Sequence, residues 1–442
     1  MNEEGAAETI AAVATPAGRG GIGILRISGP DASRIAAALA PPVPPPREAA
    51  LRKLLGRDAA VMDRGLALYF PAPASFTGED VLELHAHGAP AVLDELLAAA
   101  LQAGARMARP GEFTERAFVH GKLDLAQAEA VADLIDAGSK AAARAALASL
   151  EGRFSREVRA LADELMRLRV EAEALLDFPD EEVATENTAQ RKRLELLARR
   201  LDELARHAAE GERLSEGFVC VLAGAPNGGK SSLLNALAGT ERAIVTEQPG
   251  TTRDPVEVDI LLDGMPLRLV DTAGLRETAN PIEAEGVRRA RERAQHADLV
   301  LEVRDDTIDQ PAASFDRRAR LIVLNKIDRS GRAAGACQHD ASPAVAVSAS
   351  TGAGLDALGE HLRGAALGSS SSEAARFSAR RRHLDALARA SAAVARAREP
   401  AAHDELAAEE LRRAQNALGE ITGQVTNEDL LGAIFSTFCL GK

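Results

Sequence analysis

Two hydrophobic rhythms divide the chain: short strand-like runs near its start, and apolar residues three and four apart further on. Thr9–Ala14 and Ile22–Ser28 read as strands joined by the turn Pro16-Ala17-Gly18-Arg19-Gly20-Gly21, and Asp31 or Ser33 is placed to cap a short helix through Leu39. Pro41-Pro42-Val43-Pro44-Pro45-Pro46 predicts a stiff, extended connector. Further strands are expected at Gly65–Phe70 and Asp80–His85, with an Ala/Leu-rich helix from about Ala89 to Gln102. From about Lys122 the pattern turns to long helices. Between Arg144 and Val170, the residues Leu147, Leu150, Phe154, Val158, Leu161, Leu165 and Leu168 fall on one helix face, which reads as the core of a helix bundle. A second helical region spans about Ser378–Ile421. Between the two lies a β/α-patterned block, Phe218–Gly368, closed by the linker Gly368-Ser369-Ser370-Ser371-Ser372.

That block carries the candidate chemistry. The apolar run Phe218–Leu222 suits a buried strand of a parallel sheet. It leads directly into Gly224-Ala225-Pro226-Asn227-Gly228-Gly229-Lys230-Ser231, which fits G-x-x-x-x-G-K-[ST] and is followed by a helix over Ser232–Leu237. The spacing predicts a loop whose backbone N–H groups face phosphates, with Lys230 on the β- and γ-phosphates and Ser231 on Mg²⁺. Gly250-Thr251-Thr252-Arg253-Asp254 follows where a switch loop would close over the γ-phosphate. Val256, Val258 and Ile260 alternate into an Asp263-Gly264 hairpin turn, and the returning strand ends in Asp271-Thr272-Ala273-Gly274. There Asp271 can hold Mg²⁺ through water, and the Gly274 N–H can sense the γ-phosphate. Leu321–Leu324 then leads into Asn325-Lys326-Ile327-Asp328. The Asp328 carboxylate can accept both guanine N1–H and the 2-amino group. Adenine lacks that amino group and would leave a buried oxygen without its partner, a loss of roughly 1–3 kcal/mol. GTP is therefore the expected nucleotide, with Ser348-Ala349-Ser350 as a loop at the base edge. Leu275 stands where many small GTPases have a water-positioning Gln. A monovalent cation caged by Asn227 and the Thr246–Thr252 segment can supply charge instead, with Glu283 or Glu285 ordering the water.

Composition narrows the rest. The net charge is −13 and aromatics are only 3%, with no Trp, so neither broad phosphate-backbone binding nor a base-stacking platform is expected, although a local basic patch stays open. Cys220, Cys337 and Cys439 are too few and too far apart for a disulfide framework. No run reaches the ~18 apolar residues of a membrane helix, and the acidic Met1-Asn2-Glu3-Glu4 start is unlike a signal peptide. The expectation is a cytoplasmic protein with no membrane association. Gly18-Arg19-Gly20-Gly21-Ile22-Gly23 matches a dinucleotide fingerprint, but a strand follows where a helix should open, so it reads as a decoy. His85 and His87 lack a third metal ligand nearby. Asp177, Asp180, Glu181 and Glu182 read as a solvated connector, and Arg380-Arg381-Arg382-His383 as either an RNA contact or an exposed helix start.

Beyond these local readings, the chain resembles the MnmE (TrmE) family of bacterial tRNA-modifying GTPases along its whole length. The matching segments are Ala14-Thr15-Pro16 with Gly18–Gly29, Ser75-Phe76-Thr77-Gly78-Glu79-Asp80, Arg109-Pro110-Gly111-Glu112-Phe113, Lys122–Ala130, and the terminal Phe438-Cys439-Leu440-Gly441-Lys442. The resemblance implies an α/β plus all-α architecture. An N-terminal α/β tetrahydrofolate-binding and dimerisation domain (1–120) precedes a discontinuous helical domain (121–215 and 369–442), which surrounds an inserted P-loop, Ras-like G domain (216–368). It also implies a homodimer that works on tRNA with an FAD- and NADH-using partner, MnmG, so that FAD enters only through the partner. The implied product carries an aminomethyl or carboxymethylaminomethyl group on C5 of the wobble uridine, its carbon drawn from a 5,10-methylene- or 5-formyl-tetrahydrofolate. Carried over by position, Arg26, Glu83, Lys122 and Lys442 would contact folate. Asn227, Thr246, Gln248 and Thr251 would hold potassium, and Ser231 and Thr252 magnesium. Asn227, Gly228, Gly229, Lys230, Ser231, Ser232, Thr246, Thr251, Thr252, Asp271, Gly274, Asn325, Lys326, Asp328, Ser348 and Ala349 would form the GTP site. Glu283 takes the place of the family's catalytic glutamate, and Cys439 is a candidate nucleophile. The rival reading is a GTP-driven switch or ribosome-assembly GTPase without group-transfer chemistry.

Overall fold

The computed structural model describes residues 8–177, 184–225, 227–240, 242–243, 257–262, 265–271, 297–308, 319–340, 342–367, 376–399, 404–425, 428–439 and 441. The chain divides into two compact units, one of Met1–Ala132 with Leu418–Lys442 and the other of Asp133–Ala417. The C-terminal segment thus belongs to the same unit as the first strands.

In the first unit, strands β1 (Ile10–Val13), β2 (Gly20–Ser28), β3 (Ala50–Leu55), β4 (Val61–Phe70), β5 (Val81–Gly88) and β6 (Arg106–Met107) form one sheet in the order β3-β4-β5-β2-β1-β6. The pairings are antiparallel except β1 with β6. Strand β3 was not expected from the sequence, because its Arg52 and Lys53 interrupt the apolar run and its solvent face carries Leu51, 68% exposed. Alternation sends Leu25, Ile27, Leu82 and Leu84 to one face. There they pack with Ile35 and Leu39 of helix α1 (Ala32–Leu39) and Leu93 and Leu96 of helix α2 (Pro90–Gln102). Asp31 is the N-cap of α1, but its side chain makes no capping bond and pairs with Arg34 instead. On the other face, Ile10 and Ala12 pack against Phe113 of helix α3 (Glu112–Val119).

Helix α4 (Leu125–Ile135) follows. In the second unit, helices α5 (Lys140–Leu150), α6 (Arg153–Asp177) and α7 (Ala184–Glu216) pack with α11 (Arg381–Ala397). The predicted stripe is therefore shared by two helices, with a break at Glu151-Gly152. Phe154, Val158, Leu161, Leu165 and Leu168 are buried as expected, whereas Leu147, before the break, is 45% exposed. Phe154 stacks on Phe377 at 4.7 Å between ring centroids. Arg380 is not an exposed helix start: it pairs with Asp133 at 2.7 Å, and His383 is buried.

The nucleotide-patterned block forms a second sheet, ordered β13-β14-β12-β11-β7-β10-β9-β8. Strands β7 (Phe218–Ala223), β10 (Met265–Asp271), β11 (Leu299–Asp305), β12 (Arg320–Asn325) and β14 (Ser342–Ala346) run parallel. Strands β8 (Arg242–Ala243), β9 (Glu257–Leu262) and β13 (Gly335–His339) are antiparallel to their neighbours. Leu233, Leu234 and Leu237 of helix α8 (Lys230–Thr240) and Leu355, Leu358 and Leu362 of helix α10 (Leu355–Leu367) cover the core of this sheet. Helix α9 (Ile327–Ser330) is a single turn after β12. Among the described residues no helix is long and apolar enough to cross a membrane. The Asp263-Gly264 turn, the Asp180–Glu182 cluster and the serine linker lie outside the described residues.

Candidate functional site

The phosphate loop leaves the carboxyl end of β7 and enters α8, the position at which parallel sheets bind ligands. Gly224 has φ +140°, and a Cβ there would lie 2.2 Å from the Val303 carbonyl oxygen, so only glycine lets the loop pass this close to β11. Lys230 is buried, and its ammonium donates to the carbonyls of Gly224 and Ala225 at 2.9 Å each. A phosphate oxygen offers the same ammonium stronger, charged acceptors. The base-side motifs meet this loop directly. Asn325 Nδ2 donates to the Gly228 carbonyl at 3.1 Å, while its Oδ1 accepts the Ala349 N–H at 3.0 Å. Lys326 Nζ donates to the Asn227 carbonyl at 2.8 Å. Asp328 Oδ1 accepts Ser348 Oγ at 2.6 Å, and that hydroxyl holds the Asp328 carboxyl below its ordinary range. Asn227, Gly228, Gly229, Lys230, Asn325, Lys326, Asp328, Ser348 and Ala349 therefore share one cleft, with Ser231 and Ser232 opening α8 at its mouth.

A second cluster lies in the first unit, on the sheet face opposite α1 and α2. Arg26 of β2 stands opposite Glu83 of β5 in the register, and Arg26 Nε lies 2.9 Å from Glu83 Oε1. The Arg26 guanidinium sits 5.7 Å from the ring centroids of both Phe76 and Phe113. His85 Nε2 lies 3.2 Å from the second Glu83 oxygen, whereas His87 turns to Asp63, so the two histidines do not converge on a metal. Among the described residues no group of three metal-ligating side chains forms. The tail docks onto this cluster. Gly111 N–H donates to the Cys439 carbonyl at 3.4 Å, and Arg26 Nη1 to the Gly441 carbonyl at 3.5 Å. Gly441 has φ +89°, and a Cβ there would meet the Val13 oxygen at 2.4 Å, so no larger residue fits against β1. Lys122, exposed, donates to the Pro73 carbonyl at 3.0 Å. It pins the start of the loop that carries Phe76.

Comparison with known proteins bears on both clusters. A family model described as the TrmE N-terminus matches residues 9–122, and one described as the MnmE helical domain matches residues 125–439. The tRNA modification GTPase MnmE of Nitrosococcus oceani is 50% identical over 98% of this chain and 97% of its own length. That of Alkalilimnicola ehrlichii is 51% identical over 98% of this chain and 99% of its own. The chain belongs to the MnmE family of tRNA modification GTPases. That of Pseudomonas aeruginosa is 50% identical over 99% of this chain and 100% of its own. Among solved structures, the G domain of the T. maritima FeoB iron transporter matches 34% of this chain and 98% of its own at 26% identity, with a TM-score of 0.23. As a member of the MnmE family the chain is a GTPase, and the cleft between the phosphate loop and Asp328 is where the geometry gathers its nucleotide-binding motifs.

Thr246, Gln248, Thr251, Thr252, Gly274, Glu283 and Lys442 lie outside the described residues, as does the side chain of Asp271. Sequence reasoning missed several groups that the structure adds. Asp305 Oδ2 lies 2.6 Å from Lys326 Nζ. Burial would raise the Asp305 carboxyl, but Lys326 and Thr307 hold it at about 2. Phe76 and Phe113 frame Arg26, and Arg116 bridges Glu79 and Glu112. The pair Asp305-Asp306 after Leu299-Val300-Leu301-Glu302-Val303-Arg304 was a readable signal, since carboxylates at that end of a parallel strand face the ligand crevice. Arg116 joins Glu112 of its own helix to Glu79, 37 residues away, and that distant partner had no such signal.

Proposed function

We propose that the chain acts on the wobble uridine of tRNA, adding an aminomethyl or carboxymethylaminomethyl group at C5. It does so with an FAD-dependent, MnmG-like partner and a one-carbon tetrahydrofolate. In this reading residues 1–120 bind folate and make a homodimer, 121–215 and 369–442 form the helical domain, and 216–368 form the G domain of a cytoplasmic protein. Arg26, Glu83, Lys122 and Lys442 are the folate contacts. A carboxylate such as Glu83 suits the donor edge of a pterin, cationic side chains suit a glutamyl tail, and the exposed ring of Phe76 gives a flat ligand an apolar wall. Folate would supply the one-carbon unit when bound, and Cys439, an exposed free thiol, is the candidate nucleophile. In the G domain, Ser231 and Thr252 hold Mg²⁺, Asn227, Thr246, Gln248 and Thr251 hold K⁺, and Glu283 orders the attacking water.

The observation that carries this reading is the Arg26–Glu83 pair beneath the docked C-terminal tail, in a unit apart from the nucleotide cleft. A GTP-driven switch needs no such cluster. Calorimetric titration of the full chain with 5-formyl-tetrahydrofolate, beside a variant lacking Lys442, tests it. Saturable binding that the deletion weakens is expected. An intact protein that binds no folate would overturn the folate contacts assigned to Arg26, Glu83, Lys122 and Lys442.

A further inference from the structure

Strand β11 ends in two adjacent carboxylates that reach opposite ends of the turn bearing Asp328. Asp305 grips Lys326, just before Asp328, at 2.6 Å. Asp306 takes hold just after it. Arg332 Nε lies 2.9 Å from each Asp306 oxygen, and Ser330 Oγ donates to Oδ2 of the same carboxylate. The Asp306 N–H in turn donates to the Asn325 carbonyl at 2.9 Å, tying the end of β11 to the start of the motif.

The turn between these tethers has little rigidity of its own. Helix α9 is only Ile327–Ser330, and the residues on either side, Lys326 and Gly331, have φ +68° and +78°. One helical turn fixes many dihedrals for few hydrogen bonds, so its orientation depends on external contacts. Asp306 is enclosed, its side chain 5% exposed, while Arg332 reaches it from the surface at 42% exposure. Burial would raise the Asp306 carboxyl, yet the bonds from Arg332 and Ser330 hold it below its ordinary range. The pair is therefore a charged, hydrogen-bonded clamp on the segment that selects the base.

We propose that Asp306 and Arg332 are positioning residues for guanine selection, holding the Asp328 turn so that both carboxylate oxygens meet the base. Neither residue touches the nucleotide. Losing the clamp lets the turn relax about its remaining tethers at Lys326 and at the Ser348 hydroxyl on Asp328 Oδ1, and the second hydrogen bond, to the 2-amino group, is the first to suffer. A base without that group has less to lose.

The test compares GDP with inosine diphosphate, which shares every phosphate and ribose contact but lacks the 2-amino group. Affinities are measured by titration of the full chain and of Arg332→Gln, Arg332→Lys and Asp306→Asn. In Arg332→Gln, GDP binding is expected to weaken about fivefold and inosine diphosphate binding by less than about twofold, as loss of one positioned hydrogen bond implies. Arg332→Lys should recover part of the preference. Arg332 lies at the surface, so this variant keeps the fold, and Asp306→Asn preserves volume as a second probe. Equal weakening of both nucleotides, or no change in their ratio in either variant, overturns the proposal.

Discussion

Glu112 is 2% exposed, yet it is the hub of a charged network. Arg106 reaches it with two nitrogens at 2.8 and 2.5 Å, the Arg109 N–H at 2.8 Å and Arg116 at 3.1 Å. Arg116 continues to Glu79, which accepts Ser28 Oγ, and Ser28 meets Thr77 at 2.7 Å. The network joins β6, α3, β2 and the loop that carries Phe76. Burial pushes the Glu112 carboxyl upward, but the bonds from Arg106, the Arg109 N–H and Arg116 outweigh it and hold it at about 2, against an ordinary 4.5. A depressed folded-state pKa gives stability that is complete above about 4.5 and lost as pH falls towards 2. The group is therefore expected to contribute about 3 kcal/mol near neutral pH. Thermal unfolding of the N-terminal unit in wild type and Glu112→Gln should show a gap in stability that narrows steadily below pH 4.5. A gap of constant size down to pH 2.5 would show that ionisation of Glu112 plays no part.

At the scale of elements, the last helix decides where the tail goes. Helix α12 (Glu428–Ser436) buries Ile434 and Phe435, and with Phe438 they pack on Leu125 and Ala128 of α4. Phe435 also lies 6.4 Å from the Phe118 ring and 5.6 Å from Phe438. This apolar anchor lets the short segment after it meet Gly111, Arg26 and β1 with only weak, partly exposed bonds. Phe435→Ala is expected to cost about 3–5 kcal/mol by leaving a cavity in that anchor. Hydrogen exchange of the amides in 428–439 reads it directly, and protection equal to that of the wild type would mean that the ring does not hold the helix. The folate titration should weaken in parallel, because the same anchor seats the tail.

For the molecule as a whole, the two clusters stand in separate compact units, and nucleotide turnover has to be tested independently of folate chemistry. If Asn227 and the Thr246–Thr252 segment cage a monovalent cation, GTP hydrolysis should run several-fold faster in potassium than in sodium at equal ionic strength, since the larger ion suits a cage built for it. Steady-state phosphate release measures this, and equal rates in both salts would sink the cage. Much of the nucleotide cleft was legible beforehand. Its glycines, Lys230, Asn325 and Asp328 stand in short contiguous motifs, each attached to a strand whose apolar pattern marks it as buried. The first sheet was less so. Strand β3 was hidden because it lies at the sheet edge, where polar residues and an exposed Leu51 erase the alternation on which the reading depends. The helical stripe was read with the right spacing but across a break, because periodicity does not register one glycine between two helices.

What the sequence determined by itself is local: where most strands and helices lie, which glycines let a tight loop follow a buried strand, and which short motifs carry the candidate chemistry. Backbone propensity and side-chain chemistry act over a few residues, so these features are encoded where they occur. Only the tertiary structure decided which distant residues became neighbours. It brought Gly441 to Arg26, Arg116 between Glu79 and Glu112, and Arg332 onto Asp306 beside the turn that carries Asp328. Those contacts follow from how sheets and helices bury their apolar faces, which sets the carboxylates of Glu112 and Asp306 where water is scarce and leaves arginines to satisfy them.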